Sequence, residues 1–396
     1  MEMKRILFYI YAIVFAGVVC ACAGSASDDG SIAVLDIGNA YEERTPVMAS
    51  EYFSSIEYIP LETSEGSMLG DVTYMVVALA EDRLFIHTYN VPDIKAFDYS
   101  GKMLEFKARK GRTKEEFMSV RGFFTYNDEV MVVGDDNILI YDMDGNFKER
   151  IDTPTCDFIF NVPFIINGRL FGVLGNDIIE KKLCIDHIDG TGKRIYGDPV
   201  YSYSGNAHKQ RYITRNGVNY ELPTKLPGII YNANEKVFLM LKANDTLYTI
   251  SKETCQKSPE YIFDYGKYQD EVSYKRILFL LETPKFLIAS VLFNKRLYDP
   301  PAGYIMPPFV YDYDTGKTRI LPYYEEFDRN GFENDVNGDE LIFYPKLCRG
   351  NKIYELINAI DFIDMAEKSR SGKIKEIASK LTEESNPVLV VGTLKN

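Results

Sequence analysis

The sequence of 396 residues lacks a surplus of basic side chains, since 45 lysines and arginines stand against 58 aspartates and glutamates and the formal net charge is −13. Proteins that bind nucleic acids carry a clustered positive surface that neutralises the phosphate backbone. We therefore expect no nucleic-acid partner.

Motifs for phosphate binding, serine-hydrolase chemistry and zinc are also missing, because the chain contains no G-x-x-x-x-G-K-[ST], no G-x-S-x-G and no H-E-x-x-H. The chain has three histidines, and neither His87 nor His208 has a metal-ligand spacing. We predict no metal site and no cofactor. A carboxylate pair for glycoside cleavage stays open, because the fold sets the distance between two acids.

Cysteine is scarce, with six residues in the chain. The four that follow residue 22 are Cys156, Cys184, Cys255 and Cys348. An oxidising compartment permits disulfides, but these cysteines are far apart and form no redox or metal pattern. We predict unpaired, buried thiols.

The N-terminus has the layout of a secretory signal peptide. Lys4 and Arg5 precede an apolar run of about 14 residues, which is typical of such a peptide. A transmembrane anchor is the alternative, but the run is shorter than the ~20 residues that a span needs. Asp28 and Asp29, rather than a basic patch, follow the run, which favours the signal peptide.

The segment Val19-Cys20-Ala21-Cys22 resembles the bacterial lipobox, in which an aliphatic residue stands three positions before a cysteine and a small residue directly before it. Cys22 fits this pattern better than Cys20, because Ala21 precedes it. The resemblance implies cleavage before Cys22 and acylation of its sulfur, and several acyl chains anchor a protein stably on a membrane. Ser27-Asp28-Asp29 resembles the acidic export tether of Bacteroidota surface lipoproteins.

A repeated hairpin pattern predicts the fold. Segments such as IKAFDYSGKML, ILIYDMDGNFKERI and CIDHIDGTGKRI alternate in polarity on both sides of a turn that contains Asp and Gly. The turn glycines Gly101, Gly145 and Gly190 are separated by 44 and 45 residues. A period in the forties with several strands per unit is typical of β-propeller blades.

Counting these units gives an all-β, six-bladed β-propeller of four-stranded blades. The last unit begins near Glu340, contains a short helical insertion (363–381), and has one strand too few. The strand SSIEYIPLET at Ser54 supplies the missing strand and closes the ring, with Pro60 tolerated on an outer edge. We assign residues 1–21 to a lipoprotein signal peptide, 22–50 to a lipid-anchored tether and N-terminal segment, and 51–396 to the propeller.

The combination of a lipoprotein signal with SIEYIPLET, FDYSGK, KGRTKEEF, NDTLY, FENDVNGDE and NPVLVVGTLK resembles the six-bladed β-propeller lipoproteins of Bacteroidota, which are related in shape to NHL-repeat propellers. The resemblance covers nearly the whole mature chain and implies the propeller fold. Where family members usually carry a Gly-Pro-Gly-Glu turn after the first blade, this sequence has Arg112-Thr113-Lys114-Glu115-Glu116. A function that depends on that loop is therefore in doubt.

Long connections predict which face of the propeller binds a ligand. The turns between first and second strands, and between third and fourth strands, are tight, whereas the connections at 196–225, 266–284, 294–308 and 323–339 and the helical insertion are long. The strand order places all the long connections on one face, and long loops on a rigid scaffold often carry function. The alternative is that tight hairpins simply tolerate insertions less well.

Candidate binding residues lie on this face. Arg112 and Lys114 belong to a basic cluster (107–114) that could hold a carboxylate or sulfate, although Glu115 and Glu116 could neutralise it on a solvated surface. The further candidates, chosen because Arg and aromatic residues anchor binding surfaces, are His208, Arg211, Tyr212, Arg296 and Tyr304.

The predicted function is that of a non-catalytic binding or scaffolding module for a glycan or protein ligand. We expect an outer-membrane lipoprotein that faces the periplasm or the cell surface. A glycan lyase or hydrolase that uses Asp335, Asp339 and His208 is the alternative. Residues 333–340 resemble a calcium loop, but the twelfth position is Tyr344 rather than a bidentate Glu, so we interpret them as a turn. A structural partner of a membrane complex would instead show a large apolar patch.

Overall fold

Six four-stranded β-sheets arranged in a ring form the body of the protein, which confirms the predicted six-bladed β-propeller. The computed structural model describes residues 32–70, 75–88, 91–153, 163–177, 182–202, 211–215, 218–222, 228–233, 236–241, 245–268, 277–291, 308–339 and 341–396.

The N-terminal segment and the first two blades come first in the chain. The N-terminal elements are β1 (Ala33–Asp36), α1 (Ile37–Glu43), α2 (Ala49–Tyr52) and β2 (Phe53–Pro60). The first blade contains β3 (Met75–Leu79), β4 (Arg83–Thr88), β5 (Lys95–Asp98) and β6 (Met103–Leu104). The second blade contains β7 (Gly122–Tyr126), β8 (Glu129–Val133), β9 (Asn137–Asp142) and β10 (Phe147–Asp152).

The third and fourth blades follow, separated by an additional strand pair. The third blade contains β11 (Phe164–Asn167), β12 (Leu170–Asp177), β13 (Lys182–Ile188) and β14 (Arg194–Ile195), and β15 (Pro199–Ser202) also pairs with β13. The additional pair is β16 (Arg211–Arg215) with β17 (Val218–Leu222). The fourth blade contains β18 (Gly228–Ala233), β19 (Lys236–Leu241), β20 (Thr246–Ile250) and β21 (Lys257–Asp264), and a 3-10 helix (Gly266–Tyr268) follows it.

The last two blades complete the ring. The fifth contains β22 (Ile277–Glu282), β23 (Phe286–Val291), β24 (Pro308–Asp312) and β25 (Thr318–Ile320). The connection that follows contains β26 (Tyr323–Tyr324), β27 (Arg329–Asn330), β28 (Phe332–Glu333), a 3-10 helix (Val336–Gly338) and β29 (Ile342–Phe343). The sixth blade contains β30 (Leu347–Arg349), β31 (Lys352–Ile357), β32 (Val388–Leu394) and β2, with α3 (Ala359–Lys368) and α4 (Gly372–Ala378) between β31 and β32.

The N-terminal strand closes the ring as the sequence predicted. β2 lies at the outer edge of the sixth blade and pairs antiparallel with β32, with Tyr58 opposite Val390 and Pro60 opposite Val388. Pro60 is the last residue of an edge strand, where a missing N–H does not interrupt a ladder. The two ends of the chain therefore meet in one sheet.

Buried apolar residues form six clusters, one at each interface between neighbouring blades. The cluster between the sixth and first blades includes Leu356 and Leu389 from one and Leu84 and Phe97 from the other. Because apolar burial is the main favourable term in folding, this cluster stabilises the closure of the ring together with the strand pairing.

The turn between the third and fourth strands repeats in several blades with the same chemistry. Asp98 Oδ1 accepts hydrogen bonds from the backbone N–H groups of Ser100 at 2.9 Å and Lys102 at 3.0 Å, and Gly101 adopts φ +89°. A Cβ at Gly101 would lie 2.4 Å from the carbonyl oxygen of Pro60 in the neighbouring blade. Only glycine fits both the positive φ and this close approach.

The third blade departs from the predicted turn position. Gly192, with φ +79°, occupies the turn, whereas the sequence analysis counted the repeat from Gly190. Asp189 Oδ1 accepts from the N–H of Thr191 and of Lys193, as Asp98 does in the first blade. The aspartate therefore marks the repeat better than the glycine, because its carboxylate organises the turn.

Residues 33–52 have a structure that the sequence analysis did not foresee. β1 adds a fifth strand to the fourth blade by pairing in parallel with β21, with Val34 opposite Ile262. Further along, Glu51 forms an ion pair with Arg319 of the fifth blade at 2.7 Å. The N-terminal segment thus runs along the outer edges of the fourth and fifth blades before it enters β2, the outer strand of the sixth.

The helical insertion lies between β31 and β32, as predicted, but it begins earlier than residue 363. The first helix starts at Ala359 after the N-cap Asn358, so the apolar residues of NAIDF belong to the helix. Phe362 and Met365 are buried against the interface of the fifth and sixth blades. Their burial fixes the insertion on the propeller.

Three cysteines in the described part of the chain, Cys184, Cys255 and Cys348, form no disulfide with one another, as predicted, although each is only partly buried. Cys156 lies outside the described residues. Cys255 Sγ lies 3.0 Å from His187 Nε2.

Candidate ligand-binding cavity of the sixth blade

A cavity of about 710 Å³ opens between the helical insertion, the sixth blade, the first strand of the first blade and the connection from the fifth blade. We call it the insertion cavity. It is lined by Met75, Val77, Phe327, Asp328, Arg329, Tyr344, Lys346, Leu347, Glu355, Leu356, Ile357, Asn358, Asp361, Asp364, Met365 and Lys368. Two of the long connections of the predicted binding face, 323–339 and the insertion, contribute to its wall.

Lys346 forms the inner wall of the cavity, directly before β30. Its Nζ lies 3.4 Å from the centre of the Tyr344 ring and 4.8 Å from that of Phe279. No carboxylate or other acceptor of the described residues forms an ion pair or hydrogen bond with this ammonium. The pKa of Lys346 is lowered to about 8, mainly by burial; the charge of Glu355 opposes this shift and the charge of Arg329 adds to it.

Glu355 lies beside Lys346 on β31 and is 3% exposed. One carboxylate oxygen pairs with Arg329 Nη2, and the other accepts the backbone N–H of Tyr344 at 3.0 Å. Burial raises the pKa of Glu355, and the pairing with Arg329 opposes this shift. Neither oxygen forms an ion pair or a hydrogen bond with Lys346, although the charge of Glu355 raises the pKa of that lysine.

Arg329 links the connection to the insertion. Its Nη1 lies 3.2 Å from Met365 Sδ on α3, and its Nε is buried without a hydrogen-bond partner. The inner wall therefore contains two cations, Lys346 and Arg329, and one carboxylate, Glu355. Of these two cations, Lys346 forms no ion pair with any of the described residues.

The rim of the insertion cavity is mostly acidic, in contrast to the inner wall. Asp361 and Asp364 are exposed on α3 and Asp328 is exposed on the connection. Lys368 also lines the rim, where its Nζ donates to the carbonyl oxygen of Glu326. A ligand in the cavity would meet acidic acceptors outside and an unpaired ammonium inside.

Arg112 and Lys114, predicted from sequence, lie on a different part of the surface. Both are exposed, and Lys114 lines a second cavity of about 720 Å³ that we call the basic-cluster cavity. There, Glu116 accepts from the Thr113 N–H at 3.1 Å and pairs with Arg109 at 2.9 Å. These two contacts, the backbone one first, hold the pKa of Glu116 below its usual range.

Two of the other predicted site residues lie in the strand pair between the third and fourth blades. Arg211 and Tyr212 lie on β16, opposite Leu222 and Glu221 of β17. The remaining predicted site residues, Cys22, His208, Arg296 and Tyr304, lie outside the described residues.

The acids proposed for the enzyme alternative hold loops in place. Asp335 accepts from the Ser50 N–H at 2.8 Å. Asp339 is buried and accepts from Ser371 Oγ at 3.1 Å, while its carbonyl oxygen accepts from Ser369 Oγ at 2.8 Å. Neither residue lines the insertion cavity. Within the described ranges, no group of three or more His, Cys, Asp or Glu side chains is placed to hold a metal ion.

Sequence reasoning missed Lys346, Arg329 and Glu355. One signal was present, because Glu355 stands between Ile353 and Ile357, which share one face of a strand and are buried. A charged residue at a core-facing position of a strand requires a partner. Its partner Arg329 comes from a separate element, and nothing in the sequence places the two together.

These features define the class of protein as a six-bladed propeller with one charged, partly buried cavity. The sequence profile of the domain of unknown function DUF4934 matches residues 32–393. The chain belongs to this family.

Solved structures from Bacteroides resemble this chain. A Bacteroides fragilis protein classed as exported has 16% identity and a TM-score of 0.61, and the match covers 92% of this chain and 100% of that one. At this identity the match supports the fold alone. A protein of unknown function from Bacteroides thetaiotaomicron has 8% identity and a TM-score of 0.40, over 88% and 75% of the two chains. No curated protein shows significant similarity to the chain.

A membrane-spanning helix is not found among the residues described, since none of their helices combines the necessary length and apolarity.

Proposed function

We propose that this protein is an exported, lipid-anchored propeller of the outer membrane that binds a ligand without chemical conversion, and that its binding site is the insertion cavity. Cys22 would carry the anchor, and the propeller would face the periplasm or the cell surface. The ligand would be a glycan or a segment of a protein.

The observation that carries this proposal is the insertion cavity itself. Ligand sites are concave and mostly preformed, have volumes of about 300–1,000 Å³, and contain a few convergent polar groups. The cavity has about 710 Å³ and combines Tyr344 and Phe327 with three charged side chains on its inner wall. It also lies among the long connections, where a rigid scaffold presents variable loops.

The residues predicted from sequence remain proposed secondary contacts. They belong to connections of the same set as those that border the insertion cavity. They are Arg112, Lys114, His208, Arg211, Tyr212, Arg296 and Tyr304.

An enzyme, such as a glycan lyase or hydrolase, is the second candidate. It is favoured by two groups in one cavity with oppositely displaced pKa values, Glu355 upward and Lys346 downward, which is a feature of many active sites. Glu355, however, is 3% exposed, and both of its oxygens are occupied by protein donors. A general acid or base must reach the substrate, so binding without chemistry is the better reading.

A thermal-shift experiment tests the proposal. The full-length protein, purified in mild detergent, is screened against oligosaccharides, peptides and divalent ions. A ligand that binds only the folded state at 100 times its dissociation constant stabilises by about 2.7 kcal/mol. Asp364→Trp, which places a large side chain in the cavity from the exposed face of α3, should abolish the shift.

The matched control is Glu367→Trp, on the same helix, since Glu367 is exposed and does not line the cavity. A ligand whose shift survives Asp364→Trp but not changes at the secondary contacts would move the site away from the insertion cavity. Cleavage products in the binding mixture would favour the enzyme instead.

A further inference from the structure

We propose that the insertion cavity binds a carboxylate group of its ligand, held by the ammonium of Lys346. This inference rests on the proposed function, because it names the chemistry that the same cavity would recognise.

The first argument is that Lys346 has donors without acceptors. An ammonium has three N–H donors; this one lies 3.4 and 4.8 Å from the ring centres of Tyr344 and Phe279 and donates no hydrogen bond to any of the residues that the structure describes. Such cation–π contacts offset only part of the loss of water around a charge. An acceptor that enters the cavity would fill the vacant positions.

The second argument is the charge balance of the inner wall. Glu355 compensates Arg329, with which it pairs directly, and its second oxygen accepts from the Tyr344 N–H. Lys346 is left without an ion pair among the described residues. Since opposite full charges attract each other more strongly in a partly buried site than in water, an anionic oxygen is a better partner for it than a hydroxyl or an amide.

The third argument concerns the rest of the ligand. Asp328, Asp361 and Asp364 make the rim acidic, so a ligand with several negative charges would be repelled there. The same carboxylates can accept hydrogen bonds from hydroxyl or ammonium groups. The cavity therefore suits a ligand with one carboxylate at its inner end and donors at its outer end, as in an acidic sugar.

The carboxylate should bind more weakly as the pH rises above about 8. The groups that face Lys346 are Glu355 on β31, Arg329 on the connection, Tyr344 beside it, and Asp361, Asp364 and Lys368 on α3. Burial lowers the pKa of Lys346 to about 8 in the absence of ligand. If the carboxylate binds only the ammonium form, its affinity falls about tenfold for each pH unit above that value.

Titration calorimetry on the full chain tests the proposal with matched probe pairs. The methyl glycoside of galacturonate, which has a single carboxylate, is compared with its methyl ester, and trialanine with trialanine amide, so that each pair differs in one carboxylate. We expect at least one acid to bind at least about tenfold more tightly than its neutral partner, equivalent to 1.4 kcal/mol. The pair that shows the difference identifies a sugar or a peptide C-terminus as the source of the carboxylate.

Three variants separate the possible outcomes. Lys346→Met should remove the preference for the acid, Lys346→Arg should retain it above pH 9, and the control Lys380→Met, an exposed residue outside the cavity, should leave it unchanged. If both acids bind no better than their neutral partners, or if the preference persists in Lys346→Met, the carboxylate proposal is wrong. If the neutral probes still bind and Asp364→Trp abolishes their binding, the proposed function stands even though the carboxylate proposal is wrong.

Discussion

The insertion cavity and the basic-cluster cavity have nearly the same volume, about 710 and 720 Å³, but they hold their charges in opposite ways. In the basic-cluster cavity the cations Lys107, Arg109 and Lys114 are exposed, and Arg109 pairs with Glu116 at 2.9 Å. In the insertion cavity Lys346 is mostly buried and lacks an ionic partner among the described residues, whereas Glu355 and Arg329 form a buried pair.

The comparison shows that the number of charges is a poor guide to a site. Exposed pairs are screened by water and salt and contribute little. A buried charge interacts strongly with whatever approaches it, because the surroundings do not screen it. The most basic stretch of the sequence, 107–114, is therefore the weaker candidate, and a single lysine in an apolar segment is the stronger one.

The largest expected effect comes from breaking the buried pair. Glu355→Gln removes the carboxylate that compensates Arg329 and leaves a buried cation, which should lower the free energy of unfolding by about 3–5 kcal/mol. Urea denaturation followed by circular dichroism measures the change. Glu116→Gln is the matched control in the basic-cluster cavity, where we expect only a small change; equal losses in both variants would remove the contrast between the cavities.

The next effect concerns Lys346 and pH. Its pKa is lowered to about 8 in the folded state, below the ~10.4 of an unfolded chain. Between these values the unfolded state binds more protons, so stability rises with pH, by roughly 3 kcal/mol in total. Relative to Lys346→Met, which lacks this group, the wild type should gain stability from pH 8 to 10; a constant difference would contradict the buried ammonium.

Much of the fold could be predicted because residues close together in the sequence determine the strands and the turns between them. The aspartate that organises each turn, at Asp98, Asp142, Asp189 and Asp312, recurs with the alternating strands around it. In the fourth blade the positive φ of the turn, 55°, falls on Cys255 instead of a glycine. The turn forms without the residue that favours it, since pairing of the flanking strands determines the backbone there.

The site could not be predicted, because its parts meet only where the connection, the sixth blade and the insertion pack against one another. Lys346 and Glu355 are nine positions apart, but Arg329 comes from the connection after the fifth blade and Asp364 from the insertion. The parallel pairing of β1 with β21 is equally non-local. Sequence patterns report which face a strand buries, and they do not report which distant side chain meets it there.

A smaller effect should appear in the chemical reactivity of the lysines. A lowered pKa leaves a larger neutral fraction of the Lys346 amine at pH 7.5, and only the neutral amine attacks an acylating reagent. We expect a succinimidyl ester to modify Lys346 about tenfold faster than Lys110 or Lys114, measured by mass spectrometry of peptides. Asp364→Trp should protect Lys346, while Glu367→Trp should not; slow labelling of Lys346 in every variant would mean that the cavity does not admit small molecules.

The smallest effects are expected in the basic-cluster cavity. Arg112→Gln and Lys114→Gln should each change the free energy of unfolding by less than about 0.5 kcal/mol, because both side chains are exposed and surface substitutions without special contacts cost little. Urea denaturation at low and high salt measures this. A loss of more than about 1 kcal/mol at low salt that disappears at high salt would mean that long-range attraction stabilises this cluster. The basic-cluster cavity would then have to be reconsidered as a site for anions.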